Sequence, residues 1–287
     1  MSIVVTGATG HLGRLAVEEL LRRGVPAKQI VATGRRTEAL ADLAGKGVAV
    51  RRADYDDEAS LPAAFAGAER LLFVSGSEIG QRVRQHTNAV QAAVDAGVRF
   101  IAYTSIAKAD TSTVPIADEH RATEKLLAGS GIPQVVLRNS WYTENYTGQL
   151  PGYLEQGIAG AAGDGRVSAA TRADYAAAAV TALTEDGHAG ATYELGGPAF
   201  TMAELAQVVS EVTGRTVAYT DLPAAQYTQV LIGAGLPEPV AATLADIDRA
   251  VAAGDLFVDT ADLTKLLGRP ATSLRDTVAA AAAALPA

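Results

Sequence analysis

Near the N-terminus a short β-branched run, Ile3 to Thr6, passes directly into Gly7-Ala8-Thr9-Gly10-His11-Leu12-Gly13. Leu12, Leu15, Ala16, Leu20 and Leu21 then recur at helical spacing, so a G-x-x-G-x-x-G segment opens an amphipathic helix. Glycine spacing alone is weak evidence, and an ordinary strand, turn and helix is the plainer reading. A strand immediately before and a helix immediately after are the context the functional reading needs. In that context Gly7 permits the tight turn, Gly10 lets phosphate approach the backbone, and Gly13 lets the helix close on the sheet. The free N–H groups at the helix start favour an anion.

The same rhythm continues through Ile30 to Thr33, Val48 to Arg51, Arg70 to Val74, Arg99 to Thr104 and Gln134 to Leu137, with helical stretches between them. Gly24, Gly97 and Gly131-Ile132-Pro133 end the helices and return the chain to strands. Strands spaced by helices read as a parallel sheet. Leu71 to Val74 and Val135 to Leu137 are continuously apolar, which predicts burial on both faces. We therefore expect an α/β fold over residues 1–148, a Rossmann-type doubly wound parallel sheet that binds a nicotinamide dinucleotide.

After Gly148 the pattern changes. Thr171-x-x-Asp174 and Thr201-x-x-Glu204 predict capped helices over Tyr175 to Leu183 and Met202 to Val212, with a strand at Tyr193 to Leu195 between them. Leu222 to Ala287 is helical in pattern and ends in an alanine-rich stretch, Val278 to Leu285. Residues 149–287 are expected to form a smaller, mostly helical portion interleaved with the first, with the active site between them.

An acidic residue at the end of the second strand would take the ribose hydroxyls of NAD, but here Gln29 to Gly34 ends in Arg35-Arg36. Arginine holds a 2′-phosphate bidentately, and no carboxylate that would repel it is seen beside it, so NADP(H) is the expected cofactor. Two solvated arginines at a helix start are the alternative. Asp54-Tyr55 follow the third strand, where the adenine would lie; Asp54 either accepts from its exocyclic amine or caps a helix.

Other chemistry is excluded by what the sequence lacks. Net charge is −8 and no Lys/Arg run exceeds two residues, which disfavours nucleic acid. No cysteine is present, which removes thiolate nucleophiles and cysteine zinc sites and fits a reducing compartment. The N-terminus carries no leader-like pattern and no apolar stretch reaches the ~18 residues of a membrane span, so a cytoplasmic protein without membrane attachment is expected. His11, His86, His120 and His188 form no i, i+4 pair, so no metal site is expected. There is no G-x-S-x-G elbow and no P-loop. The Tyr-x-x-x-Lys pair of short-chain dehydrogenases is also missing: Arg121 stands four positions before Lys125, and Tyr103 stands five before Lys108.

Gly7 to Gly13, Phe100 to Ser105, Asp118-Glu119-His120 with Thr123-Glu124-Lys125, Leu137 to Tyr146 and Gly160 to Tyr175 together resemble the NmrA-like branch of the atypical short-chain dehydrogenases. The resemblance covers most of the chain. It implies NADP(H) held by the turn (Gly7, Ala8, Thr9, Gly10, His11, Leu12), Arg35, Ser75-Gly76-Ser77, Tyr103-Thr104-Ser105, Lys125 and Asn139-Ser140-Trp141. Ser140 departs from a glycine common in similar proteins, and its side chain would narrow the nicotinamide pocket.

Asn139 to Tyr146 also gathers Trp141, Tyr142 and Tyr146, whose faces suit a flat ring or plug a seam between the two portions. Asn145-Tyr146-Thr147 matches a glycosylation acceptor, which is irrelevant to a cytoplasmic chain. The expected reaction is NADPH-dependent hydride transfer to a quinone, with Lys125, Trp141 and Tyr142 as candidate catalytic residues and Lys125 or solvent as proton donor. A quinone accepts hydride readily, so the missing tyrosine acid is tolerable. A non-catalytic NADP(H)-binding redox sensor acting through a protein partner is the alternative. An aromatic carbonyl or imine substrate and a homodimer are left open.

Overall fold

Three consecutive residues, Ile3, Val4 and Val5, have no solvent exposure, as a strand covered on both faces must. The computed structural model describes residues 1–285; Pro286 and Ala287, which close the expected 149–287 portion, lie outside the described residues. The strands are β1 (Ile3–Val5), β2 (Ile30–Gly34), β3 (Ala49–Arg52), β4 (Arg70–Phe73), β5 (Phe100–Ile106), β6 (Gln134–Asn139), β7 (Ile158–Gly160), β8 (Thr192–Leu195) and β9 (Tyr219–Asp221). The helices of the first half are α1 (His11–Arg22), α2 (Ala41–Gly45), α3 (Leu61–Phe65), α4 (Arg82–Asp95), α5 (Ala117–Gly129) and α6 (Glu144–Thr147). Those that follow are α7 (Leu150–Gln156), α8 (Arg172–Thr184), α9 (Met202–Thr213), α10 (Ala224–Gly233), α11 (Glu238–Ala252), α12 (Ala261–Leu267) and α13 (Leu274–Ala283).

Seven parallel strands form one sheet in the order β3-β2-β1-β4-β5-β6-β8, with Ile3 opposite both Ile30 and Arg70. The order reverses between β1 and β4, so helices leave to opposite faces and a crevice opens at the carboxyl ends of the strands there. On one face Leu12, Ala16 and Leu20 of α1 pack with Tyr175, Ala179 and Leu183 of α8. On the other, Leu61 and Phe65 of α3, Val90 of α4 and Leu127 of α5 cover Leu71, Phe73 and Tyr103. The fold is the Rossmann-type doubly wound sheet.

The chain beyond residue 148 returns to this sheet. α8 packs on α1, where Arg23 Nη1 donates to Thr181 Oγ1 at 2.8 Å, and β8 pairs with β6 through Leu137 and Tyr193. α8 starts at the expected cap: Thr171 Oγ1 accepts the Asp174 N–H at 3.0 Å. The Asp174 carboxylate is fully buried, and it accepts from Arg269 Nη2 at 2.7 Å and from the Thr272 N–H at 2.8 Å. α9 begins with a full capping box of Thr201 and Glu204. A second, two-stranded sheet pairs β7 with β9. The sequence pattern does not reveal it, because three-residue strands are too short to display a period.

Helices α7, α9, α11 and α13 gather around a separate apolar core containing Leu150, Ile158, Phe200, Leu205 and Val251, while Leu263 and Leu266 of α12 join the first core. Asp248 of α11 sits at its edge, where Oδ2 accepts the Ala161 N–H at 2.8 Å. Burial pushes its carboxyl up to about 6; the Ala161 hydrogen bond opposes this and the charge of Asp221 adds to it. A carboxyl whose native pKa lies above the unfolded value binds its proton more tightly when folded, so stability falls as pH rises between the two values. Asp248→Asn keeps an acceptor for Ala161 and removes the buried charge. We expect it to stabilise the protein at pH 8 by about 2 kcal/mol and to give no gain near pH 4, measured by denaturant melts at both pH values. Equal effects at the two pH values would refute the assignment.

Candidate functional site

β1 ends in a turn that only glycine fits. Gly7 has φ +61° and its carbonyl accepts the Gly10 N–H at 2.9 Å. A Cβ on Gly13 would lie 2.4 Å from the Gly7 oxygen, so α1 can start this close to the strand only without a side chain there. The same holds across the crevice, where a Cβ on Gly34 would come 2.6 Å from the Thr9 side chain. Gly10 caps α1 in an extended conformation with no side-chain hydrogen bond, and no acidic residue stands in the first turn. The first N–H groups of the helix are therefore open to an anion, aided by the helix dipole.

The turn forms one wall of a cleft of about 300 Å³ at the strand-order reversal. Thr6 and Thr33 brace its floor: Thr6 Oγ1 accepts the Val74 N–H at 2.9 Å, and the Thr33 carbonyl accepts the Ala8 N–H at 2.8 Å. The side opposite the turn is the segment after β4. There the Ser75 N–H donates to Thr104 Oγ1 at 2.9 Å and the Gly76 N–H to His86 Nε2 at 2.9 Å. Burial, with the Arg82 charge adding, pushes His86 down to about 3, so the ring is neutral and free to accept. Arg82 Nε donates to the Gly76 carbonyl at 2.8 Å and pairs with Glu119 at 2.6 Å, both side chains being nearly buried.

Of the residues expected from sequence, Gly7, Thr9, Gly10, His11, Leu12, Arg35, Asp54, Tyr55, Ser75, Gly76, Ser77 and Tyr142 line this cleft. Tyr55 donates its hydroxyl to the Val74 carbonyl at 3.0 Å and sets its ring edge-on to Phe73 and His86. Asp54 Oδ1 accepts the Asp56 N–H at 3.1 Å, so it both lines the cleft and closes its own turn. Arg35 points to the rim. The expectation that no carboxylate stands beside it is corrected, because Glu78, distant in sequence, accepts from Arg35 Nη1 at 2.6 Å.

The other expected residues lie elsewhere. Ala8 is buried beneath the turn in the sheet core. Tyr103 points into the α4–α5 side of the core, its hydroxyl 2.7 Å from His120 Nδ1, because strand alternation places it opposite Thr104. Thr104 reaches the cleft only through Ser75. Ser105 Oγ donates to Glu124 Oε1 at 2.5 Å, and Glu124 also takes Arg138. Lys125, one residue on, turns outward on α5 and is exposed. Ser140 donates to the Leu256 carbonyl at 2.8 Å, so its side chain ties two loops together and does not narrow the cleft. Trp141 packs against the second core with Tyr146 and Tyr153.

Asn139 ends β6, and its Oδ1 is the one buried side-chain acceptor without a partner among the described residues. Its side chain lies near Tyr142, whose hydroxyl is raised by burial and pulled back by the Arg172 charge and by Asn139. Arg172, which sequence reading passes over, lies 4.6 Å from the centre of the Tyr142 ring and lines the cleft beside it. Glu144 and Asn145 hold it in place: the Arg172 N–H donates to Glu144 Oε1 at 2.9 Å and Nη2 to Asn145 Oδ1 at 2.8 Å. Glu78, Gln85 and Gly34 also line the cleft without having been singled out. The open helix start, the rim arginine and the orphaned Asn139 acceptor fit a phosphorylated dinucleotide.

The family model for the NmrA-like family matches residues 1–266. The chain is 49% identical over 278 residues to quinone oxidoreductase 2 of Escherichia coli (strain K12), covering 96% of this chain and 97% of that protein. Among solved structures it is similar to the E. coli NADPH-dependent quinone oxidoreductase QOR2 complexed with NADPH, at TM-score 0.94 and 48% identity over 97% of this chain and 99% of that one. It is also similar to Citrobacter sp. triphenylmethane reductase complexed with NADP(H), at TM-score 0.93 and 43% identity over 98% and 100% of the two chains. With a match that spans nearly its whole length and a cleft at the strand-order reversal, the chain belongs to the NmrA-like family.

Proposed function

We propose that this protein is an NADPH-dependent oxidoreductase that reduces quinones. The observation that carries the reading is the cleft itself: an uncapped helix start on one wall and Arg35 on its rim, in a chain 49% identical to a quinone oxidoreductase. The α1 N–H groups would hold the pyrophosphate and Arg35 the 2′-phosphate, with Tyr55 and Gly76 flanking the adenosine. Asn139 Oδ1 would accept a donor from the nicotinamide half. When bound, NADPH supplies the hydride.

The protein's own part is orientation and exclusion of water. Tyr142 is pinned between Tyr175, at a ring separation of 5.6 Å, and the Arg172 guanidinium, so it offers a fixed wall for an aromatic acceptor. Its hydroxyl stays protonated, because burial raises its pKa. No side chain here needs to act as a strong acid, since a reduced quinone is a stable phenolate. Lys125 faces outward, which leaves solvent as the proton source. We place the protein in the cytoplasm, a reading that the absence of cysteine and of any membrane-length apolar helix among the described residues supports.

NADPH absorbance followed with benzoquinone and naphthoquinones should fall faster with enzyme than without. No turnover above the spontaneous rate, together with tight NADPH binding, is the result that the redox-sensor alternative requires. Arg35→Ala should weaken NADPH binding by roughly 10- to 100-fold, as loss of a charge-assisted phosphate contact does, and leave NADH nearly unchanged. Parallel titrations of the two nucleotides check this, and equal losses for both would remove Arg35 from the 2′-phosphate site.

A further inference from the structure

Arg35 does not face its cleft alone. Its Nη1 donates to Glu78 Oε1 at 2.6 Å, while Glu78 Oε2 accepts from Gln85 Nε2 at 3.0 Å. Gln85 is nearly fully buried, and the same amide donates to Asp56 Oδ2 at 2.9 Å, so the group orienting Glu78 is itself fixed. The segment that carries Glu78 is clamped on both sides. Gly76 is held by His86 and Arg82, and the Gly80 N–H donates to Glu119 Oε1 at 2.8 Å. A Cβ on Gly76 would lie 3.0 Å from Gln85 Oε1, so the segment rests directly on that amide. Arg35, Glu78 and Gln85 all line the same cleft.

A carboxylate held on the Arg35 guanidinium takes one of its donors, Nη1, and places a negative charge beside the rest, where a phosphate would bind. We propose that Glu78 is a specificity-determining residue that competes with the adenosine 2′-phosphate for Arg35 and so narrows the preference for NADPH over NADH. The proposal rests on the reading of Arg35 as the 2′-phosphate partner. A phosphate monoester brings about −1.5 to −2 charges, which Glu78 opposes, whereas the ribose of NADH brings none. Arg35 and Glu78 are 60% and 39% exposed, so salt reaches the pair and the effect is largest at low ionic strength.

The test is equilibrium binding, read by the fluorescence of NADPH and NADH and by calorimetry with 2′,5′-ADP, on wild type, Glu78→Gln, Glu78→Lys and Arg35→Ala. Glu78→Gln should bind NADPH and 2′,5′-ADP about three- to tenfold tighter in low salt, from the loss of one nearby like charge. The gain should shrink at high salt, and Glu78→Lys should extend it. NADH affinity should move by less than about twofold, since its ribose places no charge beside Glu78 and the Arg35–Glu78 pair is exposed. Unchanged or weaker NADPH binding in Glu78→Gln overturns the proposal. A parallel loss of both nucleotides also overturns it, by assigning Glu78 to holding the segment. Arg35→Ala separates the two readings: if it binds NADPH as wild type does, the 2′-phosphate assignment fails; if it weakens NADPH alone while Glu78→Gln changes nothing, only the role of Glu78 fails.

Discussion

The contact between the Gly7 carbonyl and the backbone at Gly13 sets the geometry of everything above the sheet. With no room for a methyl group between them, α1 begins almost against the end of β1 and points its open N–H groups into the crevice. Thr6 and Thr33 then lock the neighbouring strand ends to the same turn, so β1, β2 and β4 present one continuous edge. The crevice is a product of topology, but its depth and its affinity for anions come from this close approach.

Much of this was legible in the sequence. The fully buried strands announced themselves as unbroken apolar runs, and the caps at Thr171 and Thr201 marked helix starts that the structure has. What was hidden depends on distance along the chain. Glu78 meets Arg35 across 43 residues, and Arg172 meets the Tyr142 ring across α6, α7 and β7, so neither pairing leaves a local pattern. Tyr103 and Thr104 show the opposite failure. They read as one motif in the sequence, but neighbouring strand residues face opposite ways, and only Thr104 is directed toward the cleft side. Lys125 and Glu124 repeat the lesson on a helix, where a shift of one position separates a residue bonded to Ser105 from one in solvent.

Beneath the cleft the polar groups are unusually committed. His86 and His120 are both held neutral, chiefly by burial. His86 serves as an acceptor for the backbone beside the cleft, while Arg82 and Glu119 neutralise each other. Such a floor cannot readily adapt, because each group moved would leave another unsatisfied.

The carboxylate of Asp174 links two parts of the chain that a domain boundary would treat separately. It lies at the start of α8, the helix that supports α1 from behind, and its charge is satisfied by Arg269 and Thr272. Both lie beyond residue 266, where the family match ends. A truncation at that point, which a family boundary would invite, strands a buried anion at the start of α8, the helix packed behind α1. The last segment of the protein is thus a structural counter-ion for the nucleotide fold and no dispensable tail.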